Sequence, residues 1–145
     1  MITRMTEADR PRWTALWTAY LDFYHTQLPG EVFDATWARL LAGGPIRGFL
    51  FRHDGEAAGL VHYLFHPHAW SLEPACYLQD LFVDPALRGT GAGRALIEAV
   101  ATAAQAEGAA RLYWLTQADN AVARRLYDRV ARHSGFIRYE YALAP

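Results

Sequence analysis

Apolar positions along this chain change their period several times, and each change marks an element. Trp13, Leu16, Trp17, Tyr20, Leu21 and Tyr24 recur at spacings of three and four. That predicts an amphipathic helix over residues 7–25 with an aromatic face turned inward. Thr6-Glu7-Ala8-Asp9 precedes it as a capping box in which Asp stands for Glu. Pro29-Gly30 interrupts, and a second helix over residues 32–41 ends at Gly43-Gly44-Pro45. Residues 2–5 form a short first strand. Residues 46–52 and 57–65 read as strands joined by the turn His53-Asp54-Gly55-Glu56. A loop over 67–74 leads to a third long strand, 75–83, which Asp84-Pro85 ends. Leu96, Ile97, Val100, Ala101 and Ala104 mark a helix over 91–107 with Gly108 at its C-terminus. A strand over 111–116 follows. Asp119 or Asn120 caps a last helix reaching His133, with Ala123, Leu126, Tyr127 and Val130 on its apolar face. Residues 135–143 close the chain as a strand. The order βααβββαβαβ predicts an α/β domain around one mixed sheet.

Composition narrows what such a domain does. The chain has 145 residues, 52% hydrophobic and 20% charged, which suits one globular domain. A net charge of -1 removes any global electrostatic case for nucleic acid. All 14 basic residues are Arg, so a Walker-type loop, which needs Lys, is excluded. Cys76 is the single cysteine, so neither an intrachain disulfide nor a thiolate-rich metal site forms. Thr6, Glu7, Asp9 and Arg10 break any secretory pattern at the start. No run reaches the roughly 18 apolar residues of a membrane span. The expectation is a cytoplasmic protein with neither a nucleic-acid nor a membrane partner.

The run Arg88-Gly89-Thr90-Gly91-Ala92-Gly93 lies between the strand pattern of residues 77–83 and the helix pattern that opens on Arg94. Strand, glycine-rich turn and helix N-terminus present bare backbone N–H groups to an anion. Glycine allows close approach, and the helix adds about half a positive charge. Arg88 and Arg94 add whole charges. A dinucleotide fingerprint, Gly-x-Gly-x-x-Gly/Ala, fails because its third position falls on Arg94 or Leu96. The turn reads as a pyrophosphate grip, with a plain helix cap as the alternative.

Leu81-x-Val83-x-Pro85-x-x-Arg88-Gly89-x-Gly91-x-Gly93 resembles the central motif of the GNAT superfamily of N-acetyltransferases. Its core, Arg/Gln-x-x-Gly-x-Gly/Ala, falls on Arg88, Gly91 and Gly93. Asn120-x-x-Ala123-x-x-Leu126-Tyr127, followed by Gly135-Phe136, resembles a second motif of that superfamily. The resemblance implies a single N-acetyltransferase domain over 1–145, with residues 76–137 as its acetyl-CoA-binding core. It implies an α/β fold with a mixed, mostly antiparallel sheet of six to seven strands and about four helices. Acetyl-CoA is the implied co-substrate, with no metal. The N–H groups of Gly89, Thr90, Gly91, Ala92, Gly93 and Arg94, beside Arg88, would bind its pyrophosphate. The backbone of Leu81, Phe82 and Val83 would pair with the pantetheine arm as an added strand, on an edge left open where this strand splays from its neighbour. A backbone N–H at or near Phe82 would polarise the thioester carbonyl. Asn120 matches a residue that hydrogen-bonds pantetheine, and Asn is also a good N-cap. Tyr127 matches the tyrosine that protonates the CoA thiolate. The segment Asp128-Arg129-Val130-Ala131-Arg132-His133-Ser134 exceeds the family's spacing and predicts a last helix longer by a turn.

The base is open at this level. The family places a Glu or His on the strand before the phosphate turn, where this chain has Tyr77 and Gln79, on one face by period two. Asp80 is next to them and is expected on the opposite face. Ordered water held by such groups is one route for the proton. A carboxylate or imidazole is the other, with Asp80, His62, His66 and Glu73 as candidates. The candidate catalytic set is Tyr127, Gln79 and Asp80. Cys76 reads as a small strand residue, so direct transfer in a ternary complex is expected over an acetyl-enzyme. Arg124, Arg125, Arg129 and Arg132 read as a solvated face, although Arg124 is also placed to reach the 3′-phosphate of CoA. His66-Pro67-His68 supplies too few ligands for a metal. Trp13, Trp17, Tyr20, Tyr24, Trp37 and Trp70, with Asp22, Glu31, Asp34 and Glu73, suit a pocket for a cationic amine; an ordinary tryptophan-rich core is the alternative. Residues 77–83 with Tyr113-Trp114-Leu115-Thr116 resemble the branch of diamine- and histone-directed acetyltransferases, which implies a primary amine acceptor. Rival readings are an acyl-CoA-sensing module without a base and a transferase with another acyl donor. The aromatic tail, Phe136, Tyr139 and Tyr141, is compatible with a homodimer.

Overall fold

Five strands and four α-helices form from this pattern in the computed structural model, which describes residues 1–144. The strands are β1 (Ile2–Thr3), β2 (Arg47–His53), β3 (Glu56–His66), β4 (Ala75–Val83) and β5 (Arg111–Tyr113). They lie side by side in chain order. Strands β1 to β4 pair antiparallel in succession, and β4 pairs parallel with β5. The helices are α1 (Arg10–Phe23), α2 (Gly30–Ala42), α3 (Ala92–Ala106) and α4 (Ala121–Val130). The described residues divide into two compact units. One is Met1–Leu115, with the sheet and α1 to α3; the other begins at Thr116 and carries α4.

Local chemistry sets the boundaries. The Thr6–Asp9 box forms: the Thr6 N–H donates to Asp9 Oδ2 at 2.9 Å. It closes a short 3-10 turn, Glu7–Asp9, rather than the α-helix itself, so α1 starts three residues later than its apolar pattern suggests. Arg52 then grips both Asp9 carboxylate oxygens, at 2.8 and 2.9 Å, and joins that turn to β2. Asp54 and Gly55 take φ of 52° and 82°, the two positive values a two-residue Asp-Gly hairpin demands.

The sheet is covered on both faces. Trp13, Leu16, Trp17 and Leu21 of α1 and Trp37 and Leu40 of α2 pack with Leu50, Ala57 and Leu60 of the sheet. Ring centroids lie 5.1 Å apart for Trp13–Trp17 and 5.0 Å for Trp13–Trp37. Burying such side chains is the main stabilising term, about 1.5–3 kcal/mol each. The other face receives α3, whose Leu96, Ile97, Val100 and Ala104 are buried. Gly59 lies under that helix: a Cβ there would sit 3.1 Å from Phe82 O and 3.3 Å from Leu96 Cδ1.

Two expectations are corrected. The sheet has five strands, not six to seven, because residues 135–143 make no strand. The tail does alternate, with Ile137, Tyr139, Tyr141 and Leu143 on one parity, but alternation yields a strand only when a neighbour supplies hydrogen bonds. Those four side chains are 73% to 90% exposed. The longer last helix is also absent: α4 ends at Val130, and Ala131 turns extended at φ -147°. His133 and Ser134 continue the helical spacing with polar side chains, so a further turn gains no burial.

Candidate active site

The pairing of β4 changes along its length, and that change opens the site. Ala75, Cys76 and Tyr77 pair with Arg111, Leu112 and Tyr113 of β5. Beyond Tyr77, β4 continues to Val83 paired with β3 alone among the described residues. Alternate N–H and C=O groups over Leu81, Phe82 and Val83 therefore face an open edge, the template an extended amide-bearing arm can join.

That edge leads into the glycine turn. A 3-10 turn, Pro85–Leu87, is capped by Asp84, whose carboxylate accepts from Ala86 N at 3.0 Å. Gly89 and Gly91 take φ of 80° and 87°, and Gly91 is the N-cap of α3. Any other residue would be strained there. Nothing lies within 4 Å of where a Cβ would stand at either glycine, so the space over the turn is open. The Thr90 hydroxyl and N–H both donate to Leu87 O, at 2.6 and 3.3 Å, and brace the loop from within. Ala92, Gly93 and Arg94 open the helix, where N–H groups have no intrahelical acceptor. Arg88 is exposed, and Arg94 pairs with Glu98 at 2.9 Å in a solvated contact that an anion can displace at little cost.

A β-bulge corrects the expected side-chain parity. Tyr63 stands opposite Leu78 and His62 opposite Asp80, so Gln79 is the extra residue. Opposed residues share a face and successive residues do not. Leu78 and Asp80, although two apart, therefore lie on opposite faces. Tyr77 and Asp80 share one, the face covered by α1. Asp80, expected to point away, is turned inward against His62, with Nδ1 and Oδ2 2.8 Å apart. The Trp13 indole N–H donates to the other ring nitrogen, Nε2, at 2.9 Å. His62 is fully buried, whereas Asp80 keeps 16% of its side chain exposed. Tyr24, at the end of α1, is near enough for the Asp80 charge to be felt: burial first, then that charge, raise its phenol above the ordinary range.

Comparison with known proteins identifies the architecture. Residues 4–131 match the model of the acetyltransferase (GNAT) family. The chain is 35% identical over 135 residues to the D-amino-acid N-acetyltransferase HPA3 of Saccharomyces cerevisiae, covering 91% of this chain and 84% of that one. Its fold is similar to AAC(6')-Iy bound to a bisubstrate analogue, CoA-S-monomethyl-acetylneamine, with a TM-score of 0.86, 18% identity and 99% and 98% of the two chains covered. It is also similar to a ribosomal-protein-alanine N-acetyltransferase from Brucella melitensis biovar Abortus 2308, with a TM-score of 0.80, 21% identity and 99% of each chain covered.

The chain belongs to the acetyltransferase (GNAT) family. It is an amine N-acetyltransferase that uses acetyl-CoA, and its remaining candidate residues read in that light. Gln79 is exposed at the bulge. Tyr77 stacks on Tyr113 at 4.9 Å, so its ring belongs to the β4–β5 pair. Cys76 is buried, and burial pushes its thiol up to about 11, which removes it as a nucleophile at neutral pH. In the second unit, Asn120 caps α4, accepting from Ala123 N at 3.4 Å and donating to Thr116 Oγ1 at 3.2 Å. Tyr127 is half-buried on α4. Arg124 donates to Ala118 O at 2.7 Å and so braces the start of its own helix. His66 lies 2.7 Å from the Tyr113 hydroxyl. Among the described residues, no group of three or more His, Cys, Asp or Glu is placed to hold a metal ion. No helix of the described residues is long and apolar enough to cross a membrane. Trp13, Trp17 and Trp37 pack in the core, and Trp70 is 79% exposed.

The partner of Asp80, His62, and the Trp13 indole behind it escape the periodicity. From the sequence His62 is one base candidate among several, and Trp13 is a pocket residue or a core residue. A register slip of one residue is invisible to a period-two count, and Gln79 bears none of the glycine or proline marks of a bulge.

Proposed function

We propose that this acetyltransferase moves the acetyl group directly from acetyl-CoA to a small primary amine within a ternary complex. The observation that carries this reading is Asp80, a carboxylate turned onto the α1 face of β4 by the bulge, one residue before the open edge. The amine lone pair forms the new N–C bond at the thioester carbonyl, and the C–S bond breaks. Asp80 takes the proton from the amine, and Tyr127 gives its phenolic proton to the departing thiolate. Gln79, exposed beside Asp80, supplies a neutral hydrogen-bonding group to the acceptor. The open edge of Leu81 to Val83 receives pantetheine, and the N–H groups from Gly89 to Arg94 receive the pyrophosphate, with Asn120 on the pantetheine amide. Burial of Cys76 supports direct transfer over an acetyl-enzyme. A match that runs through residues 4–131 supports one catalytic domain, within which residues 76–137 are proposed as the cofactor core.

Asp80 favours a cationic acceptor, and the name of the yeast relative places D-amino acids among the amines to try. The test is thiol release from acetyl-CoA across diamines, D-amino acids, an aminoglycoside and a peptide amine. The expected outcome is one thiol per acetylated amine with at least one small amine. Calorimetric binding of CoA without thiol release on any amine would overturn the reading in favour of a sensor.

We also place the enzyme in the cytoplasm, where acetyl-CoA is supplied, and propose that it is a homodimer built on its tail. Arg138 and Glu140 pair at 2.7 Å in the tail, while Ile137, Tyr139, Tyr141 and Leu143 stand exposed at alternate positions. The tail is thus a run of exposed apolar side chains that forms no strand of its own, and a second copy of the chain is the partner that would cover it. The full chain is expected to run as a dimer by light scattering, and the chain cut after Ser134 as a monomer. A monomeric full chain would overturn the proposal.

A further inference from the structure

Two hydrogen bonds on His62 assign its ring proton. An indole N–H only donates. Trp13 Nε1 lies 2.9 Å from His62 Nε2, so Nε2 presents its lone pair. The ring proton is then on Nδ1, which faces Asp80 Oδ2 at 2.8 Å and donates to it. Both nitrogens are occupied, and both rings are fully buried. The chain of donors runs one way, from indole to imidazole to carboxylate.

We propose that Trp13 and His62 are positioning residues that hold Asp80 for the acceptor amine. The indole selects the imidazole tautomer. The imidazole ties down Oδ2 and leaves Oδ1 as the oxygen offered to the amine. His62 is therefore not the base, because its only lone pair is committed to the indole. The brace is rigid because its inner members sit in the packed aromatic layer: the His62 ring centroid is 6.0 Å from that of Trp13 and 5.7 Å from that of Trp17. The bulge completes it, since a regular strand would place Asp80 on the far face. This inference rests on Asp80 being the partner of the amine.

The tests separate that premise from the brace. Nitrogen-15 spectra of the wild-type protein are expected to show a lone-pair nitrogen at Nε2 and a protonated one at Nδ1 of His62. In Trp13→Phe, which keeps an aromatic ring but has no N–H, the two signals are expected to move toward averaged values as tautomers exchange. His62→Leu removes the donor to Asp80. Its kcat is expected to fall about ten- to a hundredfold, the range for a lost hydrogen bond to a charged group, while KM for acetyl-CoA holds. His62→Asn offers an amide N–H near the position of Nδ1 and is expected to recover most of that loss. A proton on Nε2 in the wild type, or equal kcat losses in the Leu and Asn variants, would overturn the brace. Full turnover in Asp80→Asn would instead overturn the amine-partner premise, and the tautomer spectrum tells the two failures apart.

Discussion

Asp80→Asn is expected to lower kcat by about 10²–10⁴-fold, the contribution typical of a positioned general base. The substitution is nearly isosteric. An Asn carbonyl can still accept from His62 Nδ1, so the internal hydrogen bond and the bulge survive. What disappears is the negative charge and the lone pair offered to the amine. KM for the amine should rise, because an amide N–H now faces a group that also carries N–H. The dissociation constant for CoA should change little, since the phosphate turn starts at Arg88. Steady-state kinetics, calorimetry with CoA and a thermal melt check these three statements together. Unchanged kcat would remove Asp80 from the chemistry. Asp80→Ala is a poorer test. It leaves the His62 N–H buried without an acceptor, at a cost of about 1–3 kcal/mol, and mixes stability into the result.

The importance of Asp80 follows from one irregular residue. Period-two reading located β4 to the residue, Ala75–Val83, because its apolar run is bounded by Pro74 and by Asp84-Pro85. The same reading assigned the wrong face to Asp80. Parity is correct only while every residue is paired, and Gln79 is not. The glycine turn that opens α3 is legible as a turn, since positive φ at Gly89 and Gly91 is what glycine is used for. The cap at Asn120 was legible for a similarly local reason. The aromatic helix showed a limit of another kind. Its spacing revealed a buried face, but spacing carries no information on what covers that face. Trp13 and Trp17 went to the core, and only Tyr20 and Tyr24, near its end, stay half-buried. The tail failed for the opposite reason: the alternation is real, and a strand needs a second strand that periodicity cannot supply.

Bulge and open edge lie on opposite sides of β4, the bulge in its pairing with β3 and the edge where its pairing with β5 ends. Where β4 keeps its β5 partner, up to Tyr77, its side chains do structural work: Tyr77 stacks on Tyr113 and Cys76 is buried. Where it loses that partner, the backbone becomes available to a ligand and the extra residue re-aims Asp80. In the proposed reaction a single strand would offer backbone to the donor and a carboxylate to the acceptor within the span from Asp80 to Val83.

The proton for the departing thiolate is a separate matter, and Tyr127→Phe isolates it. The expected result is a kcat about 10²-fold lower or more, with the CoA dissociation constant within about threefold of the wild type. A thiolate leaves slowly when nothing protonates it. A phenol with a pKa near 10 is an efficient donor to sulfur because the two acidities are comparable, so the proton moves late and without a large penalty. Removal of one oxygen leaves the helix face of Ala123, Leu126 and Val130 intact, and a thermal melt separates any loss of stability from the loss of rate. Single-turnover acetylation decides where the deficit arises. If Tyr127 protonates the leaving group, the single-turnover rate falls in step with kcat. If only multiple turnover slows, the tyrosine governs release of CoA and not bond breaking. A variant with wild-type rates in both regimes would assign the proton to another donor and leave Tyr127 as a packing residue of α4.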